Sequence, residues 1–147
     1  MAGGAKINVL SQIATSVLRS LGGKQCINMY AHLAHGDNTY FEFDGVAWSG
    51  SGITPARIPM PSAGRVEGLF VKCSFNADTQ DSVFTVMKNG VDTTMTVTVT
   101  AGSTTQVSDT THVVTFAVGD DIVIHRPASG GASDIDANVT MVYRWSN

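Results

Sequence analysis

Apolar and polar residues alternate with a period of two along much of this chain. Met95, Val97 and Val99 interleave with Thr94, Thr96, Thr98 and Thr100, the signature of a strand with one face buried. Val83 to Met87 precedes that run, and Asn89-Gly90 lies between, so the two are read as a hairpin whose turn residues tolerate positive φ. Val113 to Val118 predicts a further strand, and Gly119-Asp120-Asp121 turns the chain into Ile122 to His125. Cys26 to Leu33, Thr39 to Phe43, Gly64 to Phe75 and Val139 to Trp145 complete a set of about eight strands, with Gly68 marking a bulge. In the last strand Val139, Met141, Tyr143 and Trp145 share a face, which suggests a central position or a subunit interface. The fold class is all-β, an antiparallel sandwich or jelly roll. No repeat suited to a solenoid or propeller recurs.

Three segments depart from that pattern. Ile7 to Leu21 places Leu10, Ile13, Ala14, Val17, Leu18 and Leu21 at helical spacing, and Gly22-Gly23 stops it. Residues 1–23 are therefore read as a short N-terminal helix or arm, and 24–147 as the β-domain. The helix either folds over its own domain or packs on a neighbour. Val46 to Pro61 holds Gly50, Gly52, Pro55, Pro59 and Pro61, which argues for a long loop with an edge segment near Arg57-Ile58. Pro127 to Asn138, rich in Gly, Ser and Asp, predicts another loop.

Composition narrows the function. Only 14% of the 147 residues are charged, below the usual ~25%, and Thr, Ser, Asn and 15 Gly supply the polarity instead. Such surfaces suit β-proteins whose faces are hidden in an assembly. A net charge of −3 argues against binding nucleic acid, and no apolar run is long enough to span a membrane. The N-terminus lacks the pattern of a secretory leader, so synthesis in a host cytoplasm without export is expected. Cys26 and Cys73 both fall in predicted strands and are read as reduced core thiols, with a disulfide between neighbouring strands as the alternative.

Candidate chemistry is sparse. His32 and His35, three apart on a strand, point to opposite faces. His112 and His125 fall in adjacent predicted strands without accompanying ligands. Asp120-Asp121 and Asp134-Ile135-Asp136 are oxygen-rich but lack a calcium-loop pattern. Nucleophile elbow, phosphate loop and dinucleotide fingerprint are all missing from the sequence. The expectation is a protein that is not an enzyme and needs no metal or cofactor.

The run Phe84 to Val99, followed by Ser108-Asp109-Thr110-Thr111-His112-Val113-Val114 and Val118-Gly119-Asp120-Asp121-Ile122-Val123-Ile124, resembles small jelly-roll domains of tailed bacteriophages, themselves similar to the trimeric tumour-necrosis-factor type. The resemblance covers Phe84 to Ile124. It implies a homotrimeric capsid decoration (cement) protein on the virion exterior, contacting the major capsid protein and neighbouring decoration subunits. On that reading Lys6, Ile7, Leu10, Ile13, Val17, Arg57 and Ile58 are capsid or neighbour contacts, and Tyr143 and Trp145 belong to the trimer interface. The rival expectation is a tail-fibre or receptor-binding tip that recognises host glycan through Trp48 and Tyr40.

Overall fold

A computed structural model describes residues 23–33, 38–42, 47–49, 59–128 and 134–146. Among these, ten strands form: β1 (Lys24–Leu33), β2 (Thr39–Glu42), β3 (Ala47–Ser49), β4 (Gly64–Asn76), β5 (Ser82–Lys88), β6 (Val91–Val99), β7 (Val107–Asp109), β8 (Val114–Phe116), β9 (Ile122–Arg126) and β10 (Ile135–Trp145). They build two antiparallel sheets. The first runs β1-β10-β4-β7, with β8 also on β4, and the second runs β3-β2-β9-β5-β6. Apart from the β2–β3 and β5–β6 hairpins and the β7–β8 step along β4, each connection passes from one sheet to the other. That is the connectivity of a jelly-roll sandwich.

Alternation explains which side of each strand turns inward. On β10, Ile135, Ala137, Val139, Met141, Tyr143 and Trp145 are all buried. They meet Phe41, Phe84, Val86, Met95, Val97, Val99, Ile122 and Ile124 from the second sheet in one core. Trp145 packs edge-on against Phe116 and Tyr143, with ring centroids 5.8 and 5.2 Å away. Gly64 is required beside it, because a Cβ there would meet the Arg144 carbonyl and the Phe116 ring.

Turn chemistry holds the crossings. Asn89 (φ 52°) and Gly90 (φ 81°) make the hairpin between β5 and β6. The Asn89 amide donates to Asp120 Oδ1 at 2.7 Å, and its side-chain oxygen accepts from the Asp121 N–H at 2.9 Å. Asp120 also accepts from the Ala117 N–H and pairs with Lys88 at 2.9 Å. Those contacts, led by the Asn89 amide, pull its carboxyl down to about 2. On the far side, Asp109 accepts from Thr111 and His112 and reaches the edge of β6 through the Thr96 N–H at 3.2 Å.

Several expectations are corrected. Ile135 to Asn138 is strand rather than loop, paired to β1 on one side and β4 on the other. Ala47–Ser49 is a strand inside the segment read as a loop, and Val107–Asp109 adds one that polar neighbours concealed. Val113 to Val118 shrinks to Val114–Phe116, leaving Val113 and Val118 exposed. The bulge falls beside Gly68: Val142 pairs with Gly68 and Tyr143 with Val66, so Glu67 is the extra residue. Both cysteines are free, but only Cys73 is buried; Cys26 is exposed, and β10 separates their strands. The predicted helix and His35 lie outside the described residues.

One core feature had no sequence signal. Arg126 is fully buried on β9 and pairs with Asp78 at 3.0 Å, while its Nε and Nη2 donate to Ser82 Oγ at 3.3 and 3.1 Å. Ser82 in turn donates to Asp78 at 3.0 Å. Asp78→Ala strands that cation, and a loss of about 3–5 kcal/mol is expected from urea unfolding. A double change of Arg126→Met with Asp78→Ala should recover much of it.

Acid should act through Asp109. Burial by itself would raise its pKa, but the hydrogen bonds from the His112 backbone and ring and from Thr111 outweigh burial and hold it well below the ordinary carboxylate range. A depressed folded-state pKa contributes stability that is present above about pH 4 and lost as pH falls below it. Asp109→Asn should therefore be less stable than the parent at pH 7, and the gap should narrow by pH 3. Denaturant midpoints at both pH values test this, and a pH-independent gap would contradict it.

Candidate functional site: the outward faces of the two sheets

Alternate residues of the same strands face outward, and two surfaces result. Across the first sheet the register sets rows. Lys24, Arg144 and Arg65 form one row, Cys26, Val142 and Gly68 the next, then Asn28, Thr140, Phe70 and Ser108. Tyr30, Asn138 and Lys72 follow, then His32, Asp136 and Phe75. The rows of Val142 and Phe70 are apolar or neutral, with both residues half-buried, and Lys72 stands exposed in the next row. Tyr30 and Phe75 are 57% and 50% exposed, unusual for aromatic residues on a sheet. Thr140 donates to Asn28 at 2.7 Å.

Charge closes both ends of that face. At one end Glu67, projected by the bulge, collects Arg65 at 2.6 Å, Arg144 at 3.2 Å and Lys24 at 3.3 Å. The Arg65 hydrogen bond is the main cause that lowers the Glu67 pKa. At the other end His32 meets Asp136 at 2.6 Å, with Asp134 at 3.8 Å. Its pKa is raised, chiefly by the hydrogen bond with Asp136.

The second sheet carries a different row. Trp48, Tyr40, His125, Thr85 and Thr96 occupy successive register positions. The Tyr40 and His125 rings stack at 4.9 Å with 10° between planes. His125 Nδ1 is held by Asp92 at 3.0 Å, and the Thr85 and Thr96 hydroxyls meet at 3.0 Å. The stack occupies one face of the Tyr40 ring, a face that a sugar would otherwise use.

Of the residues singled out from sequence, Tyr40 and Trp48 are brought together by strand pairing. Tyr143 and Trp145 face inward, 7% and 5% exposed, and share Gln25 Oε1 as hydrogen-bond acceptor. The cover anticipated from a neighbouring subunit comes from the chain itself. Lys6, Ile7, Leu10, Ile13, Val17, Arg57 and Ile58 lie outside the described residues. The Glu67 cluster and the His125–Asp92 pair were missed, because both need the strand register and the bulge.

The three described histidines of interest, His32, His112 and His125, each pair with a different carboxylate and do not converge. Among the described residues no group of three or more His, Cys, Asp or Glu is placed to hold a metal ion. No described helix is long and apolar enough to cross a membrane.

Neither a protein-family model nor a curated protein matches this sequence. Among solved structures, the chain is similar to one in the acidic stable capsid structure of Helicobacter pylori bacteriophage KHP30. The two are 12% identical, with 84% of this chain and 94% of that chain covered, at a TM-score of 0.44.

The thiols offer a direct check of the outward and inward assignments. Burial pushes the Cys73 thiol up to about 11, while Cys26 stands on the outer face. In dilute native protein, a Cys73→Ser variant should react promptly with a disulfide reagent such as DTNB, and Cys26→Ser should stay silent until unfolded. Equal reactivity of the two variants would contradict the assigned faces.

Proposed function

We propose that this chain is a structural virion protein: a homotrimeric capsid decoration protein that bridges capsomers on the exterior of a tailed-bacteriophage head. The observation that carries the reading is the outward face of the first sheet. It carries Cys26, Val142, Phe70 and Tyr30 on successive rows and is bounded by charge at both ends. A surface of this kind suits contact between folded proteins better than it suits a small ligand, which favours a concave site. The jelly-roll strand order agrees with the resemblance carried by Phe84 to Ile124.

In this reading copies meet over the first sheet through Tyr30, Phe70, Thr140 and Val142, with β10 contributing its outward residues rather than Tyr143 and Trp145. Residues 1–23 and the segment around Arg57 and Ile58 reach the major capsid protein or neighbouring decoration subunits. The action is mechanical. Each contact that an expanding shell would have to break adds roughly 25 cal/mol per Å² of apolar surface, and a trimer brings three attachment segments to one place. No catalytic step, metal or cofactor enters.

A tail-tip protein that binds glycan is the second reading. The register that sets Trp48 beside Tyr40, with His125 and Asp92 adjacent, is the observation in its favour.

Copy number per purified virion separates the two. Quantitative mass spectrometry should find the chain in a simple ratio to the major capsid protein; a handful of copies would favour the tail, and absence from virions would end both readings. Light scattering should give three times the 15.5 kDa chain mass. Val142→Arg, which puts charge in the centre of the face, should run as a single chain with Cys26 more reactive than in the parent. A trimer indifferent to Val142→Arg would remove this face from the interface.

A further inference from the structure

We infer that the outer edge of β1 pairs antiparallel, about a two-fold axis, with β1 of a second copy of this chain. The outermost strands of the sandwich are unequal. β3, β7 and β8 have three residues each, too few to offer much of a template. β6 is longer, but Asp109 takes the Thr96 N–H at 3.2 Å and closes that side. β1 has ten residues, and among the described residues nothing pairs with it on the side away from β10. It runs along β10 without a bulge, contains no proline, and has its one lysine, Lys24, at the very end. An edge this long and regular is a row of N–H and C=O groups that soluble proteins otherwise shorten, kink or charge. The side chains agree. Ile27 and Ala31 point toward the core but are only half-buried, whereas the inward residues of β10 beside them are buried. A strand laid along β1 would complete their cover.

Charge selects the occupant and its direction. Lys24 is 58% exposed at one end of β1, and Asp134 and Asp136 are 52% and 25% exposed beside His32 at the other. A second copy laid parallel would set like charge beside like. Laid antiparallel, it carries each Lys24 to the acidic end of the other copy. Opposed residues in such a pair share a face, so only alternate registers are open. The register that sets Lys24 opposite His32, in the row of Asp136, also sets Cys26 opposite Tyr30, Ile27 opposite Met29, and Asn28 opposite its own counterpart. The edge is therefore complementary to itself. A single strand pair is a small interface beside the roughly 1,200 Å² of a standard one, so the contact forms at high concentration or where copies are crowded side by side. It uses the backbone edge rather than Phe70 and Val142, and it holds whether or not copies also meet over the first sheet.

Hydrogen exchange of the full chain, followed by NMR, tests this directly. Alternate N–H groups of β1 face β10, and the others face the outer edge. The β10-facing set should be protected at every concentration, while the edge-facing set should exchange freely in dilute protein and gain protection at millimolar chain. Asn28→Asp keeps the acceptor for the Thr140 hydroxyl but opposes two carboxylates across the axis, so it should cut that gain several-fold. Protection of the β10-facing set checks that the variant is folded. In a Cys26→Ser background, Lys24→Cys mixed with His32→Cys should form a disulfide-linked pair of chains under mild oxidation, and neither variant alone should. Free exchange of the edge-facing set at millimolar chain, a gain indifferent to Asn28→Asp, or Lys24→Cys linked to itself as parallel strands would be, would each overturn the inference. So would edge-facing protection in a chain that light scattering shows to be single, which would assign the edge to this chain's own residues.

Discussion

A cation buried where the β4–β5 connection crosses between the sheets is the constraint on which this structure turns. Arg126 reaches the core from the last residue of β9 and finds Asp78 and Ser82, which lie just after β4 and at the start of β5. β9 and β5 belong to one sheet and β4 to the other. The network therefore fixes the point where the chain crosses between sheets. Such a pair gains little over an apolar replacement of the same shape, yet breaking it is costly, since a single orphaned charge would remain in the core. It ties the end of β9 to the β4–β5 connection. The Asn89–Asp120–Asp121 tie pins the end of the sandwich where β5 turns into β6, and Asp109 binds the Thr96 N–H on the edge of β6. A sheet edge capped in this way is less open to adventitious pairing.

Legibility followed the physics of each signal. β6 and the end of β10 were readable because a half-buried strand must alternate, and the Asn-Gly turn because few other dipeptides tolerate positive φ twice. Ile135 to Asn138 was not: its Asp and Asn neighbours are ordinary loop residues, and only pairing on both sides makes it strand. Asp78 looked like one polar turn residue among several, since nothing in a sequence tells which carboxylate will meet a buried arginine. Cys26 was misplaced because a strand pattern gives two faces without saying which one is inside. Strand β1 buries Met29 and half-buries Ile27 and Ala31, which puts Cys26 and Tyr30 out.

The residues that carry the family resemblance prove to be the ties themselves. Asn89, Asp109, Asp120 and Asp121 each close a turn or cap an edge of this sandwich. They say much about architecture and little about task. The surfaces where a task could be performed draw on other positions: Tyr30, Phe70 and Val142 on the first sheet, Tyr40 and His125 on the second. This is why sequence reading reached the fold more directly than the site.

Tyr143 and Trp145 show the same separation from inside the molecule. A large aromatic near the end of a chain invites the idea of a subunit contact, because its apolar area needs cover. Here Phe116 and Gly64 provide it: the glycine lets β4 and β8 close over the indole, and Gln25 accepts from its N–H. With the inward face satisfied, whatever meets the first sheet must engage what remains outward, an apolar centre between a basic and an acidic end. A partner placed there has little choice of register, because a shift along the strands would move charge onto Phe70 and Val142. In the proposed assembly the charged margins would set register, and the rows of Val142 and Phe70 would supply adhesion.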